Sequence, residues 1–277
     1  MSKLKIAVVQ FRINQFEPEK NLKKAEKFIA QVSGKADIIV FPEDFLTGGV
    51  EADIIEKFED REGRYRKHFQ ELARKYKIDI VPGSFIEGTN SGRYNTTYFI
   101  DSSGKVKATY RKVNLWLTER KHITAGNQIC VFNTKYGKCG LVICWDLIFP
   151  EIFRKMAQKG VQIVFCPSLW YLGKDYKPYK KYNPRAEIDH VNALCLARAV
   201  ENNIVLVYTG AVGELKTSGG EGEEAIGHSQ ITVPIKGMLK RLNHKREAMF
   251  IQEVDTSILR DSEKAYKIRK DLKKRIL

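Results

Sequence analysis

Three residues that can take part in acyl transfer directly follow apolar, strand-like segments. Glu43 follows IIVFP, Lys112 follows KATYR and Cys144 follows GLVI. A thiol can attack a carbonyl or nitrile carbon, a half-buried carboxylate can take the thiol proton, and an ammonium group can stabilise the negative charge that develops on the substrate. Together the three side chains would supply a nucleophile, a base and an oxyanion-stabilising group.

Each of these residues also has an ordinary structural explanation. Most cysteines in apolar strands are inert core residues, and an Arg-Lys pair is usually a wet surface patch. A carboxylate after a strand commonly caps a helix or lies in a solvated loop, with Asp44 as the capping candidate beside Glu43. The spacing does not separate these explanations from catalysis.

An internal similarity places a further polar residue at a strand end. The segment ADIIVFPEDF resembles GVQIVFCPSLW, and each contains a buried strand that ends in Pro and a polar residue. Glu43 and Ser168 therefore occupy equivalent predicted strand ends. Polar residues just beyond the carboxyl ends of buried strands are where α/β folds place their ligand sites.

Apolar segments alternate with amphipathic ones, and this alternation predicts a mixed α/β fold in a single domain, 1–277. The predicted helices cover 18–32, 61–77, 150–160, 185–202 and a basic segment at about 256–277. A Gly- and Glu-rich segment, 213–224, is predicted to be a mobile loop. The predicted strands cover 5–10, 38–41, 79–85, 96–100, 106–110, 129–133, 139–144, 161–166, 204–212, 229–234 and 248–254.

The 277-residue chain is basic, with a formal net charge of +15. Lys and Glu alternate along helical segments such as EKNLKKAEKF, so the charge is diffuse and predicts a solvated surface. A polyanion-binding tail at the basic C-terminus is the alternative. No apolar run approaches the roughly 20 residues that span a bilayer, and MSKLKIAVVQ enters a strand without a signal-peptide segment. These features predict a cytoplasmic protein without a membrane partner.

The cysteines and histidines lack the spacing of metal sites. The five cysteines are odd in number and show no CxxC pair, and the five histidines show no HxH or HExxH pattern. We therefore expect reduced thiols, no metal and no organic cofactor.

In their order and flanking residues, the three chemistry-bearing segments resemble the carbon–nitrogen hydrolase family, also called the nitrilase superfamily. That family has a Glu after a strand and Pro, a strand ending in Tyr-Arg-Lys, and a Cys after a strand with Pro-Glu a few residues on. The matching residues are Phe41-Pro42-Glu43, Tyr110-Arg111-Lys112, and Cys144-Trp145-Asp146 with Phe149-Pro150-Glu151.

The resemblance continues through the second half of the chain. CPSLW (166–170), RAVENN (198–203) and AIGHSQITVP (225–234) resemble family segments. The resemblance implies a four-layer αββα sandwich whose protomers pair into an αββα–αββα homodimer, with the C-terminal basic helix at the interface. Gly210 stands where many members carry Asn, which puts the role of that Asn in doubt.

The resemblance also implies a reaction. Glu43 would act as the base, Cys144 would form a thioester acyl-enzyme, and Lys112 with the Trp145 backbone N–H would stabilise the oxyanion. Glu119 is the candidate for the second glutamate of many members. The implied activity is hydrolysis of a small-molecule amide to a carboxylate and ammonia, with nitrile or N-carbamoyl amide hydrolysis as alternatives. Asp146 gives only a partial match to the Cys-Trp-Glu of true nitrilases.

Aromatic residues flank the motifs and would wall an apolar substrate pocket, although aromatics near strand ends are more often core. A Cys–His hydrolase with His228 as base is a second possibility. A non-catalytic nucleic-acid-binding protein on the same fold is a third. The predicted pocket residues are Trp116, Trp145, Phe149, Trp170 and Tyr171, together with Ser168.

Overall fold

The first strand, β1 (Lys3–Gln10), is buried on both faces over most of its length. Ile6 and Val8 join one apolar cluster, whereas Ala7 and Val9 join a second, because successive side chains of a strand point to opposite faces of its sheet. A strand buried on both faces must have another layer above it and another below it.

The computed structural model describes residues 3–49, 55–172, 181–216 and 222–272. Its other strands are β2 (Ile38–Val40), β3 (Asp79–Val81), β4 (Ser84–Thr89), β5 (Gly92–Ile100), β6 (Val106–Arg111), β7 (Cys130–Thr134), β8 (Gly137–Leu141), β9 (Ile163–Ser168), β10 (Tyr171–Leu172), β11 (Val205–Gly210), β12 (Val212–Lys216), β13 (Gly222–Ile226), β14 (Gln230–Val233), β15 (Gly237–Arg241) and β16 (Ala248–Asp255). One sheet has the order β16-β1-β2-β3-β5-β4, with β6 beside β5. The second has the order β15-β14-β11-β9-β8-β7, and a small third sheet has the order β10-β13-β12.

The helices of the described ranges are α1 (Pro18–Val32), α2 (Ile55–Phe58), α3 (Arg64–Tyr76), α4 (Pro150–Gln158), α5 (Ala186–Asn202), α6 (Ser257–Tyr266) and α7 (Ile268–Leu272). Two 3-10 turns cover Glu119–Lys121 and Cys144–Ile148. Helix α1 begins with Pro18, whose missing N–H is not needed in the first turn of a helix. None of the helices in these ranges has both the length and the apolar character needed to cross a membrane.

The two large sheets pack face to face, and helices cover their outer faces. The rings of Phe99 on β5 and Phe165 on β9 lie 5.9 Å apart between centroids, across the space between the sheets. On the other side of the first sheet, Ile29 of α1 and Phe69 of α3 join the cluster of Ala7. Helices α4 and α5 contribute apolar residues to the cluster that includes the second sheet. The described residues confirm the predicted αββα sandwich.

Most predicted elements are confirmed within one or a few residues. The helix predicted at 18–32 has those bounds, and the strands predicted at 129–133 and 139–144 are found as β7 and β8, which pair as an antiparallel hairpin. The predicted strand 79–85 is wrong, because the chain leaves the sheet between β3 and β4. Pro82 has no N–H for a ladder, and Gly83 has a φ of 68°, in the left-handed region.

Two other predictions need correction. The segment 213–224, predicted to be a loop, contains most of β12 and the start of β13. These two strands pair in an antiparallel ladder, with Leu215 opposite Glu223. The residues between these strands, 217–221, lie outside the described part. The predicted C-terminal helix is interrupted at Lys267, whose φ of 54° ends α6 before α7 begins. Its last residues, 273–277, also lie outside the described part.

Gly210 occupies a place that has no room for a side chain. A Cβ there would lie 2.2 Å from the Gly227 carbonyl oxygen. The Gly210 N–H donates a hydrogen bond to Ser229 Oγ at 2.9 Å. An asparagine at this position therefore cannot be accommodated with this backbone.

Gly210→Ala should lower the free energy of unfolding by about 2 kcal/mol, because an added methyl group overpacks a filled site. Urea unfolding followed by circular dichroism measures the change. Gly222→Ala is the matched control, since a Cβ there would lie an ordinary 3.7 Å from its nearest neighbour, the Leu215 carbonyl oxygen. Equal stability of the two variants would contradict the steric explanation.

Candidate active site

Four side chains from different parts of the chain meet beyond the strand ends. Lys112 Nζ lies 2.8 Å from Glu43 Oε1 and 2.7 Å from Glu119 Oε2. Cys144 lies beside this group, because its Sγ donates to the Leu169 carbonyl while the Leu169 N–H donates to Glu43. All four residues are buried, with exposed fractions of 8% or less. The structure therefore brings together the three main predicted residues and the second glutamate.

Cys144 starts a 3-10 turn with an unusual backbone conformation. Its φ is 43°, in the left-handed region that few residues other than glycine adopt. Such strain costs on the order of 1–3 kcal/mol and is typical of functional sites. The first hydrogen bond of the turn runs from Asp146 N–H to the Ile143 carbonyl, which leaves the Trp145 N–H unused within the turn. The turn thus presents both the thiol and a nearby backbone donor.

The Glu43 carboxylate is held on both of its oxygens. Oε1 accepts hydrogen bonds from Lys112 Nζ and from Asn95 Nδ2, the latter at 2.9 Å. Oε2 accepts one from the Leu169 N–H at 2.8 Å. The Leu169 carbonyl in turn accepts a hydrogen bond from Cys144 Sγ at 3.7 Å. These contacts fix the carboxylate next to the sulfur.

Glu119 is the second carboxylate that binds Lys112. Its carboxylate accepts hydrogen bonds from Lys112, from the Trp116 N–H at 2.6 Å and from Asn95 Nδ2 at 3.1 Å. Asn95 therefore bridges both glutamates. The sequence predicted no role for Asn95. Its position beside the glutamates is visible only in the folded chain, where the Asn95 carbonyl on β5 accepts a hydrogen bond from the N–H of Lys112, the residue after β6.

The electrostatics of the group favour a neutral thiol and a charged lysine. Burial, and next the Glu43 charge, raise the pKa of the Cys144 thiol well above its usual range, although Lys112 acts in the opposite direction. Burial lowers the pKa of Lys112, but Glu119 and Glu43 outweigh it and raise that pKa overall. Burial also raises the pKa of Glu43, opposed by Lys112. The thiol consequently needs a base before it can attack, and Glu43 is beside it.

Asp146 ties the cysteine turn to the strand end that carries Lys112. Its buried carboxylate accepts hydrogen bonds from Tyr110 Oη at 2.7 Å, the Ile143 N–H at 3.0 Å and both nitrogens of Asn114 at 2.9 Å. The sequence predicted no such role for Tyr110 or Asn114. The sequence could have indicated a role for Tyr110, since it belongs to the same Tyr-Arg-Lys motif as Lys112.

The predicted RAVENN helix supports the same turn from the other side. Arg198 donates hydrogen bonds to the Leu147 and Ile148 carbonyls at 3.0 and 2.8 Å. A salt bridge to Glu201 at 2.8 Å orients its guanidinium. A bidentate guanidinium is suited to hold two adjacent carbonyls in one geometry.

Three of the predicted pocket residues form an aromatic cluster next to the thiol. The ring of Trp145 lies 4.2 Å from that of Trp116 and 5.5 Å from that of Trp170. Trp170 also donates a hydrogen bond from Nε1 to Glu187 at 2.5 Å. Trp116 and Trp145 are half-buried, whereas Trp170 is buried.

The other predicted pocket residues occupy different positions. Tyr171 begins β10 and is half-buried, and Phe149 is half-buried where the cysteine turn joins α4. Ser168 is fully buried, and its hydroxyl donates to the Cys166 carbonyl at 3.4 Å within its own strand. The hydroxyl of Ser168 is thus directed to its own strand.

Among the described residues, no hydrogen bond joins His228 to the Cys144 thiol. This histidine lies between β13 and β14, and burial together with the Arg241 charge lowers its pKa to about 4. The base beside Cys144 is the carboxylate of Glu43, which disfavours the Cys–His alternative. Among the residues that the structure describes, no group of three or more His, Cys, Asp or Glu side chains could hold a metal ion.

Comparison with known proteins agrees with this arrangement. The profile of the carbon-nitrogen hydrolase family matches residues 5–263, and the chain belongs to this family. It is therefore a hydrolase of carbon–nitrogen bonds.

One similar protein is the 2-oxoglutaramate amidase of Bacillus subtilis, which is 31% identical over 96% of this chain and 98% of its own length. A carbon-nitrogen hydrolase from Helicobacter pylori has the same fold, with a TM-score of 0.88, 20% identity and coverage of 98% of this chain and 95% of its own. A variant of the amidase from Nesterenkonia sp., with acrylamide added at its active-site cysteine, has a TM-score of 0.76 and 25% identity over 93% of this chain and 96% of its own.

Proposed function

We propose that the enzyme hydrolyses a small-molecule amide to a carboxylate and ammonia through a thioester on Cys144. The observation that carries this proposal is the Glu43 carboxylate, which contacts the Lys112 ammonium and is joined to the thiol through the Leu169 peptide, whose N–H donates to it and whose carbonyl accepts from Cys144 Sγ. The names of the Bacillus and Nesterenkonia relatives, both amidases, support an amide as the substrate.

The first half-reaction acylates the cysteine. Glu43 takes the proton of Cys144 while the sulfur attacks the amide carbon, and the carbonyl oxygen becomes negatively charged. Lys112 Nζ and the Trp145 N–H stabilise that oxyanion. As the C–N bond breaks, Glu43 returns its proton to the nitrogen, which leaves as ammonia and gives the thioester.

The second half-reaction restores the enzyme. Glu43 takes a proton from a water molecule, whose oxygen attacks the thioester carbon. The C–S bond then breaks, the carboxylic acid leaves, and the thiol regains the proton held by Glu43. Glu119 keeps Lys112 charged and in place throughout, because its carboxylate binds the same ammonium as Glu43.

Two other functions follow less directly from the site. Hydrolysis of a nitrile or an N-carbamoyl amide would begin with the same thiolate attack on an electrophilic carbon, so these reactions are the alternatives within the family. A nucleic-acid-binding role would use the net charge of +15, but it would leave the assembled buried group without a purpose. We propose a small-molecule substrate and no nucleic-acid partner.

Cys144→Ala should abolish ammonia release from a panel of small primary amides, because no other group at the site can form the acyl intermediate. Intact-protein mass spectrometry of the wild type should show an acyl adduct, and peptide mapping should assign it to Cys144. Cys130→Ala is the control, since burial raises the pKa of the Cys130 thiol to about 12. Ammonia release by the Cys144→Ala protein would contradict the proposal.

Glu119→Gln should lower kcat and move the acid limb of the kcat/KM profile to lower pH. The Glu119 charge raises the pKa of Glu43, so its removal lets Glu43 stay ionised, and act as base, at lower pH. A pH series with one amide measures the shift, and Glu62→Gln on the exposed surface is the control. An acid limb that stays in place or moves upward would argue against Glu43 as the base.

We also propose that the protein forms a homodimer through an apolar patch on α5 and the β14–β15 hairpin. Leu196, Val200, Ile235 and Met238 are 45%, 38%, 54% and 42% exposed. Leu196 and Val200 lie one turn apart on the same helix face, and Leu196 Cδ1 lies 3.8 Å from a Cβ placed on Gly237 in the hairpin. A second copy of the chain would cover such a surface. That the C-terminal basic segment, 256–277, also lies at this interface stays a prediction.

Leu196→Glu should convert the dimer to a monomer, because it places a charge in the middle of the apolar patch. Sedimentation equilibrium measures the mass, and Lys23→Glu on the exposed face of α1 is the control. A wild-type protein that sediments as a monomer would exclude the proposed dimer.

We place the protein in the cytoplasm. All five cysteines are free thiols, which suits a reducing compartment, and the proposed nucleophile must stay reduced to react. Cell fractionation with an antibody to the protein tests this location.

A further inference from the structure

Asp44 follows the proposed base directly and has no function in the mechanism above. Asp44 is only 3% exposed, and no hydrogen bond to its Oδ1 is found among the described residues. Its backbone is fully engaged, since its N–H donates to the Ser84 carbonyl and its carbonyl accepts from Thr47 and Gly48. The carboxyl caps none of the helices in the described ranges, which disfavours the capping alternative raised by the sequence.

The carboxyl of Asp44 adds a third acid to a group with one cation. Its electrostatic neighbours are Glu43, Glu119 and Lys112. Burial, and next the Glu43 charge, raise the pKa of Asp44 well above its usual range. The Asp44 carboxyl is therefore protonated unless a further cation lies near it. An arriving cation would compensate the charge of the ionised carboxyl. The site is thus short of positive charge, in contrast to the basic surface of the protein.

Aromatic residues border the same region. Burial, and next the Asp44 charge, raise the pKa of the Tyr171 hydroxyl, and this hydroxyl is 3.1 Å from a Cβ placed on Gly49. Trp145 directly follows Cys144, and its ring lies 4.2 Å from that of Trp116 and 5.5 Å from that of Trp170. Aromatic faces attract organic cations, and the attraction grows when the cation is desolvated. Acidic and aromatic groups together therefore favour an ammonium group over a carboxylate.

We propose that Asp44 determines specificity by pairing with an ammonium group on the acyl part of the substrate, so that the preferred substrates are amino-substituted amides. On binding, Asp44 releases its proton to solvent and forms an ion pair with the substrate. This inference rests on the amide hydrolysis proposed for Cys144 and adds the substrate class to it.

A second explanation for an aspartate here is its backbone conformation. The φ of Asp44 is 45°, and Asp, Asn and Gly tolerate this left-handed region better than other residues. Asp44→Asn keeps that tolerance and the side-chain shape but removes the charge. Asp44→Gly removes the whole side chain without backbone strain. The two variants therefore separate a role in recognition from a role in folding.

The experiment measures kcat/KM for 4-aminobutanamide, which carries the ammonium, for its uncharged counterpart pentanamide, and for the anionic succinamate. We expect the wild type to prefer 4-aminobutanamide to pentanamide by tenfold or more. Asp44→Asn should lose about tenfold in kcat/KM on the cationic amide, mainly through KM, because about 1.4 kcal/mol of ion pairing corresponds to that factor. Its activity on pentanamide should change by less than about twofold.

Asp261→Asn on the exposed surface controls for a general change in charge, and circular dichroism confirms that each variant is folded. If Asp44→Asn fails to fold, Asp44→Gly gives the same comparison. An equal loss on the cationic and neutral amides, or a wild-type preference for succinamate, overturns the proposal for Asp44.

Failure of the proposed amide hydrolysis gives a different result. In that case the wild type releases no ammonia from any of the three amides and forms no acyl adduct on Cys144. Calorimetric binding of 4-aminobutanamide to the Cys144→Ala protein, with and without Asp44→Asn, then decides the question. Unchanged affinity overturns the pairing, and a tenfold loss supports it.

Discussion

The buried Lys112 ammonium is the interaction on which the rest of the site depends. It contacts Glu43 and Glu119 at 2.8 and 2.7 Å, and all three side chains are almost completely shielded from water. Removing one partner of a buried ion pair costs about 3–5 kcal/mol, because a charge is left uncompensated. The two carboxylates could not be buried this close together without the cation between them. Asn95 strengthens the arrangement by donating to both.

The cysteine turn depends on a second set of buried polar contacts. Cys144 has a strained backbone, and a strained residue persists only where its surroundings hold it. Asp146 supplies this support from the side of Lys112, and Arg198 supplies it from the side of α5. The nucleophile and the oxyanion-stabilising lysine are therefore positioned relative to each other by hydrogen bonds that span both sheets. This geometry places a base next to the thiol, which burial keeps protonated.

The prediction of the fold succeeded where hydrophobic periodicity was strong and failed where the chain turned sharply. Helix α1 and the β7–β8 hairpin follow directly from local pattern. The break at Pro82 and Gly83 and the pairing of β12 with β13 depend on backbone conformation and on distant partners. A Gly- and Glu-rich segment has weak strand propensity, and only its neighbours in the folded chain provide its hydrogen-bonding partners.

The sequence by itself determined the reactive residue types and their family motifs, because Glu43, Lys112 and Cys144 each carry a recognisable local context. Only the tertiary structure decided which other groups contact them. Asn95 and Leu169 touch Glu43 because strands distant in sequence end at one edge of the sandwich. The same packing left Asp44 buried without a hydrogen bond to Oδ1. Distances, burial and charge balance arise from packing between remote segments, and a linear pattern of residue types does not contain them.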